Sequence, residues 1–228
     1  MIGWWWRLVR FGFHLLYNPF AWTYDAVAFV VSAGEWRAWQ QAAISALNLP
    51  SGCRVLEVAH GTGNLHIDLL RAGYHTIGVD LSPAMGRIAS GKLRRAGLAS
   101  NLVRASAGAL PLPADVFDGL ICTFPSEFLA QKDTLSEFCR VLSPEGRFAV
   151  VLHGVLLRGW WRPFLDVLFQ ATGQGGIAHD RVPPPDELTT RYLRLIAAFT
   201  AAGLDCEIIP MLTPKGYAVV ATGRRMPQ

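Results

Sequence analysis

The sequence predicts an α/β protein built on a doubly wound, mostly parallel, seven-stranded sheet. Three observations predict it. Between residues 54 and 152 short apolar runs are each followed by a stretch of helical period, glycine and proline punctuate the junctions, and two closing apolar runs flank Pro214-Lys215-Gly216 as an antiparallel hairpin would. A chain of 228 residues is long enough for one such domain with attachments. With 51% of residues hydrophobic and 17% charged, it can fill a core and is not disordered by composition.

The first attachment is residues 1–50. It opens on an apolar stretch containing Trp4, Trp5, Trp6, Phe11 and Phe13, interrupted by Arg7, Arg10 and His14. On a helix these three polar residues share one narrow face, a pattern suited to a lid over the site, to a membrane interface, or to both. Every window of about 20 residues includes several polar positions, so the helix is not expected to span a bilayer, and the interrupting charges do not suit a cleaved signal. Peripheral membrane contact is therefore assigned to residues 1–17. Asn18-Pro19 breaks the pattern, residues 21–47 read as one or two helices, and Pro50-Ser51-Gly52 closes the attachment.

Within the main domain, residues 51–228, the expected order is strand 54–59, helix 63–72, strand 75–80, helix 83–96, strand 101–105, strand 117–124, helix 132–142 and strand 146–152. Right-handed crossovers between these elements give the parallel part of the sheet. Residues 154–185, with Trp160, Trp161, Phe164, Leu168 and Phe169, do not continue the rhythm and read as a cap insertion. One helix from Asp186 to Ala202 and strands 205–211 and 217–222 complete the chain.

The net charge of +4 is scattered, apart from Lys92-Leu93-Arg94-Arg95 and Arg224-Arg225, so a nucleic-acid stripe is not expected. Cys53, Cys122, Cys139 and Cys206 lack the paired spacing of a metal site and read as thiols of a reducing, cytoplasmic compartment. No metal is expected.

Chemistry concentrates where the strand Arg54-Val55-Leu56-Glu57-Val58 runs into Ala59-His60-Gly61-Thr62-Gly63 and then a helix. Glycines there let a ligand approach the backbone, and the helix start offers unpaired N–H groups. A dinucleotide fingerprint needs a third glycine, and the two registers place Asn64 or His66 there instead. Asp80, ending the next strand about 20 positions on, is suited to accept both hydroxyls of a ribose. Ser82-Pro83 is a helix start, with Ser82 as N-cap. His60 is more simply a local hydrogen-bonder than a catalyst.

The acidic Glu57 followed by Ala59-x-Gly61-x-Gly63 resembles the first motif of class I S-adenosylmethionine-dependent methyltransferases, with Ala59 at the family's usual first glycine. Ala is small enough to keep that turn with a negative φ. Ser106-Ala107-Gly108-Ala109-Leu110-Pro111, followed by Phe117-Asp118, resembles the corresponding stretch of the quinone and sterol methyltransferase-like branch, with Ser106 replacing an acidic residue that contacts adenine. Leu142-Ser143-Pro144-Glu145-Gly146 resembles the branch's turn before the fifth strand, and Tyr24-Asp25 resembles a Tyr-Asp pair whose aromatic ring closes over the cofactor, although Tyr24 also suits the core. The resemblance covers residues 54–152 and implies a Rossmann-like fold and S-adenosylmethionine as cofactor. Glu57, Ala59, His60, Gly61, Gly63, Asp80, Leu81, Met85, Ser106, Ala107 and Thr123 would then surround it.

Ligands in such sheets bind at the carboxyl edge of the strands, where Thr123-Phe124-Pro125-Ser126-Glu127 and His153-Gly154 emerge. His153 and Glu127 are the candidate bases and Tyr24 a third candidate, each with a structural alternative as a cap, a solvated side chain or core. The aromatic attachment and Trp-rich insertion favour a small hydrophobic acceptor: a quinone precursor, a lipid or an aromatic metabolite. Two rival classes stay open from the residues alone: a nicotinamide-dependent oxidoreductase, and a non-catalytic protein that keeps the pocket and meets a membrane or partner through its N-terminus.

Overall fold

The computed structural model describes residues 12, 20–125, 127–157 and 181–227. The apolar helix expected over 1–17 and most of the insertion, including Trp160, Trp161, Phe164, Leu168 and Phe169, fall outside the described residues. After a short 3-10 turn (Ala21–Thr23) come α1 (Tyr24–Val31), α2 (Trp36–Leu47), β1 (Arg54–Val58), α3 (Asn64–Arg71), β2 (His75–Asp80), α4 (Pro83–Arg95), β3 (Leu102–Arg104) and β4 (Phe117–Thr123). A second 3-10 turn (Glu127–Ala130) leads to α5 (Lys132–Val141), β5 (Leu142–Leu156), α6 (Pro185–Arg191), α7 (Leu193–Ala201), β6 (Leu204–Thr213) and β7 (Gly216–Arg225).

The seven strands lie in the order β3-β2-β1-β4-β5-β7-β6. β1 to β5 pair in parallel, and β7 runs antiparallel to both β5 and β6. From β1 the chain winds outward through β2 and β3, then returns to β4 and β5 on the other side. The direction of winding therefore reverses between β1 and β4, which opens a crevice at their carboxyl ends.

Alternate side chains divide the core between the two faces, as the two-residue period of a strand requires. Leu56, Val58, Leu120, Cys122, Phe148 and Val150 join Phe138 and Phe199 on one face. Val55, Ile121, Ala149 and Val151 meet Trp39, Leu47, Leu65 and Leu69 on the other. The segment read as an attachment, residues 1–50, is thus not uniform. α2 is one of the helices covering the sheet, with Trp39, Ala43 and Leu47 buried, whereas α1 buries only Ala28. The junction between them is held by the hairpin tip, where Lys215 donates its N–H to Glu35 (3.1 Å) and its ammonium to the Ala33 carbonyl (2.7 Å).

Three expectations about the elements need correction. The helix expected over 186–202 is two, broken at Tyr192, whose φ of −102° and ψ of 17° leave the helical region. No glycine or proline announces that break; it accompanies the contact of the Tyr192 ring with His153. β5 starts at Leu142 rather than 146, because the Ser143-Pro144-Glu145-Gly146 turn is absorbed as a bulge between the pairs Phe117–Leu142 and Gly119–Arg147. β6 and β7 run longer than expected because Tyr217 to Ala221 are fully buried between two partner strands, so pairing continues to the hairpin tip. All four cysteines are free thiols; Cys122 and Cys206 are buried, and burial pushes the Cys206 thiol up to about 12.

Candidate functional site

The glycine loop sits at the carboxyl end of β1, on the crevice. Ala59 and His60 both donate their N–H to the Val79 carbonyl of β2, at 2.7 and 3.2 Å. Ala59, Gly61 and Gly63 are all left-handed, with φ of 59°, 54° and 80°. The negative φ expected for Ala59 is wrong. The two hydrogen bonds to Val79 hold the loop in the conformation that a glycine would adopt freely, and the alanine takes it under strain. A Cβ at Gly61 would enter open space, so that stretch of backbone is accessible to a ligand. At Gly63 it would lie 2.8 Å from the Ala89 methyl, so this glycine is set by packing against α4.

Asp80 ends β2 facing this loop. One carboxylate oxygen accepts the Gly61 N–H (2.9 Å) and the other the Ser82 N–H (2.8 Å), which orients the group and leaves each oxygen lone-pair capacity for a hydroxyl. Ser82 caps α4 by accepting the Met85 N–H. Leu81 beside them is 64% exposed, an apolar surface next to the carboxylate. Met85 is fully buried in a small cluster with Ala21 and Ala84, against which Tyr24 packs.

Glu57 and His60 are less open than the motif suggests. Glu57 is buried, and one of its oxygens pairs with Nδ1 of the buried His66 at 2.8 Å. Gly78 makes room for that ring, since a Cβ there would come within 3.0 Å of it. His60 is buried, with Nδ1 2.9 Å from the Gly61 carbonyl, as a local hydrogen-bonder would be. His66, which mattered in the sequence only as a missing glycine, is the partner that fixes the motif's acid.

On the far side of Asp80, the exposed Ser106 accepts the Gly108 N–H (3.3 Å) and bridges Ala109, while Ala107 is half-buried against the core. This stretch is stapled by α5. Glu137 accepts the Leu110 N–H (2.7 Å), and Arg140 donates to the carbonyls of Leu110 and Leu112 and to Glu137. The Arg140 guanidinium holds the Glu137 carboxyl below its usual range.

α1 reaches the loop from above the crevice. Asp25 accepts the Thr62 hydroxyl (2.6 Å), the Asn64 amide (3.1 Å) and the Lys92 ammonium; Lys92 also donates to Asn64 (2.7 Å). Burial pushes the Asp25 carboxyl up, but the hydrogen bonds from Lys92, Thr62 and Asn64 and the Lys92 charge outweigh it and hold the group below the ordinary range. Next to it, Tyr24 meets the Trp36 ring edge-on at 6.1 Å.

The ends of β4 and β5 are aromatic. Thr123 is buried and accepts from Gln40 at 3.4 Å. Phe124 is left-handed (φ 53°) and stacks on Trp36 at 3.9 Å, with Trp39 edge-on to both. Gly154 accommodates Trp39, whose ring a Cβ there would overlap. His153 Nδ1 lies 3.3 Å from the Tyr192 hydroxyl, and burial pushes that phenol up to about 12, so it remains a neutral hydroxyl that orients the ring. Glu127 begins the 3-10 turn after β4, but its side chain and Ser126 lie outside the described residues. Among the described residues no group of His, Cys, Asp and Glu could hold a metal ion, and no helix is long and apolar enough to cross a membrane.

Sequence reading missed the partners of the motif residues rather than the motifs. Asp25 was visible only as the neighbour of Tyr24, Lys92 only as part of a basic run, Phe124 only as part of the segment leaving β4 and Trp36 only as one aromatic of the attachment, while Gln40 carried no local signal.

Comparison with known proteins agrees with this geometry. Residues 55–146 match the model of a family described as a methyltransferase domain. The ubiquinone/menaquinone biosynthesis C-methyltransferase UbiE of Syntrophotalea carbinolica is 37% identical over 210 residues, covering 89% of this chain and 84% of that protein. Its counterpart in Allorhizobium ampelinum is 35% identical over 144 residues, covering 60% of this chain and 56% of its own length, so the chain aligns with little more than half of that relative. Among solved structures, geranyl diphosphate C-methyltransferase from Streptomyces coelicolor has the same fold, with a TM-score of 0.59 at 16% identity over 86% of this chain and 82% of that one.

Proposed function

The chain belongs to the class I S-adenosylmethionine-dependent methyltransferases, in the quinone methyltransferase-like branch, and we propose that it methylates a ring carbon of an apolar quinol-type acceptor. The observation that carries the proposal is the 37% identity to a quinone C-methyltransferase along 84% of that protein's length. The stacked Trp36 and Phe124 at the carboxyl end of β4 support it, since they offer a flat apolar wall to a ring.

The residues present fit the cofactor. Asp80 would accept the ribose hydroxyls, Leu81 and the stretch at Ser106 and Ala107 would border the adenine, and the open backbone at Gly61 with Ala59, His60 and Gly63 would meet the methionine end. Glu57, held by His66, would support the loop from behind, Met85 would lie near the adenine, and Thr123 would close the floor. When bound, the sulfonium supplies an electrophilic methyl group. The protein's part is to align the acceptor carbon with the C–S bond and to exclude water. Tyr24 would close over the cofactor. His153, oriented by Tyr192, and Glu127 are the candidates to take the proton that the ring carbon would lose once it has gained the methyl group and the C–S electron pair has left with sulfur.

Of the attachment expected over residues 1–50, α2 covers the sheet, so the lid is assigned to α1 and the stretch before it, and the peripheral membrane contact to residues 1–17. Exposed Trp22 in the 3-10 turn before α1, and exposed Phe29 and Val30 on α1, support that reading, because they offer apolar surface to the phase in which a prenylated acceptor dissolves.

Incubation with radiolabelled S-adenosylmethionine and either a reduced prenylated naphthoquinone or a small polar catechol tests the acceptor. Label on a ring carbon of the quinol, located by mass spectrometry, is expected. Transfer only to the polar compound would overturn the proposal.

A further inference from the structure

We infer that Asp25 is a positioning residue for the cofactor loop, and that through it the N-terminal helix α1 is coupled energetically to cofactor binding. The inference rests on the reading of Ala59–Gly63 as the cofactor loop.

Three of the loop's five residues are left-handed, and two of those are glycines with no side chain to restrain them. Such a backbone has many conformations of similar energy unless something pins it. The bonds to Val79 hold its first two residues, and Asp80 holds the Gly61 N–H. The next point along the chain is Thr62, which lies between the two glycines, is buried, and gives its hydroxyl to Asp25. Asp25 belongs to another element, 37 residues away, and also gathers Asn64 at the start of α3 and Lys92 of α4. One carboxylate thus joins α1, the loop, α3 and α4. Apolar packing joins α1 to its neighbours α2 and α4, with Ala28 buried, Tyr24 beside Met85 and edge-on to Trp36, and Val31 half-buried, while its outer side carries exposed Val27, Phe29 and Val30. Among the described residues, α1 meets the loop itself through the charge-assisted polar contact at Asp25. Whatever orders the loop, the cofactor included, orders α1 in the same degree, and the converse holds by linkage.

The test uses the full chain and S-adenosylhomocysteine, with affinity from calorimetry and exchange of the 24–31 amides from hydrogen–deuterium measurements. Asp25→Asn and Thr62→Val are each expected to weaken binding about tenfold, the loss typical of a charge-assisted hydrogen bond. The double variant is expected to be no weaker than the weaker single one, because one removes the charge on the acceptor and the other the donor of the same Thr62–Asp25 contact. Thr62→Ser, which keeps the hydroxyl, is expected within twofold of the parent. Ligand is expected to protect residues 24–31 in the parent and not in Asp25→Asn. Affinities within twofold of the parent in both single variants, losses that multiply in the double, or equal protection with and without the carboxylate would each overturn the inference. Thr62→Val keeps the residue's volume, so it serves if Asp25→Asn does not fold. Absence of binding by the parent chain would instead overturn the assignment of the loop, and the inference with it.

Discussion

The two halves of the crevice are built on opposite physical plans. At the ends of β1 and β2, directional donors meet carboxylates: the Gly61 and Ser82 backbone N–H groups on Asp80, and the Thr62 and Asn64 side chains on Asp25. At the ends of β4 and β5, Phe124 stacks on Trp36 with Trp39 edge-on to both, Thr123 pairs with Gln40 on that face, and His153 pairs with Tyr192 on the opposite face of the sheet. A charged, hydroxyl-rich cofactor needs directional partners held in advance, whereas an apolar acceptor needs area and exclusion of water. Both halves use a left-handed residue other than glycine, Ala59 on one side and Phe124 on the other, and strained backbone gathers at such ligand-facing turns.

Substitutions can break this division. The largest expected effect is on packing beneath the cofactor half. Gly63→Ala would place a methyl 2.8 Å from that of Ala89 at a φ of 80°. Left-handed strain and overpacking together are expected to cost roughly 3 kcal/mol, read as a lower midpoint in denaturant. Asp80→Ala comes next. It leaves two backbone donors without their acceptor and removes the proposed ribose contact, so affinity for S-adenosylhomocysteine should fall about 100-fold while affinity for the acceptor stays unchanged. Trp36→Leu should show the reverse, with kcat/KM for a prenylated acceptor lowered about tenfold and cofactor affinity within twofold. If Trp36→Leu weakened the cofactor as much as the acceptor, the two halves would be one surface and the division would fail.

The same contrast explains what could be read from the sequence. The cofactor half is local: Glu57, Gly61, Gly63 and Asp80 occupy 24 consecutive positions whose strand–turn–helix pattern follows from glycine, apolar runs and a Ser-Pro cap. The succession of strands and helices along the chain and the closing hairpin followed from the same punctuation. The half proposed for the acceptor is assembled from α2, the ends of β4 and β5 and the break at Tyr192, so no window of sequence contains it. Trp36 and Phe124 lie 88 positions apart and meet only because α2 crosses the sheet. Partners were illegible for the same reason: the network of Asp25 with Thr62 and Lys92, and the pair of Glu57 with His66, are tertiary, and a pattern of single residues does not encode which carboxylate a lysine or histidine will meet. Ala59 failed differently, because side-chain size was taken to decide φ while the bonds from the loop to Val79 decided it.

That failure yields the smallest effect and the sharpest one. An ordinary Ala→Gly change in a helix interior loses helix propensity and buried area, and at the fully buried Ala43 of α2 it should cost 1 kcal/mol or somewhat more. At Ala59 the terms oppose one another. Glycine relieves the roughly 1–2 kcal/mol that an L-residue spends in the left-handed region. Against this stand roughly 0.4–1 kcal/mol for the freer unfolded chain and a fraction of the roughly 0.8 kcal/mol of a buried methyl, since Ala59 only partly packs on the core. The balance puts Ala59→Gly within about 0.5 kcal/mol of the parent, while Ala43→Gly lowers the midpoint by about 3 °C. Paired thermal melts decide the matter. Equal losses at the two positions would mean that Ala59 carries no strain, and that the left-handed turn belongs to the bonds at Val79 without any cost from the side chain.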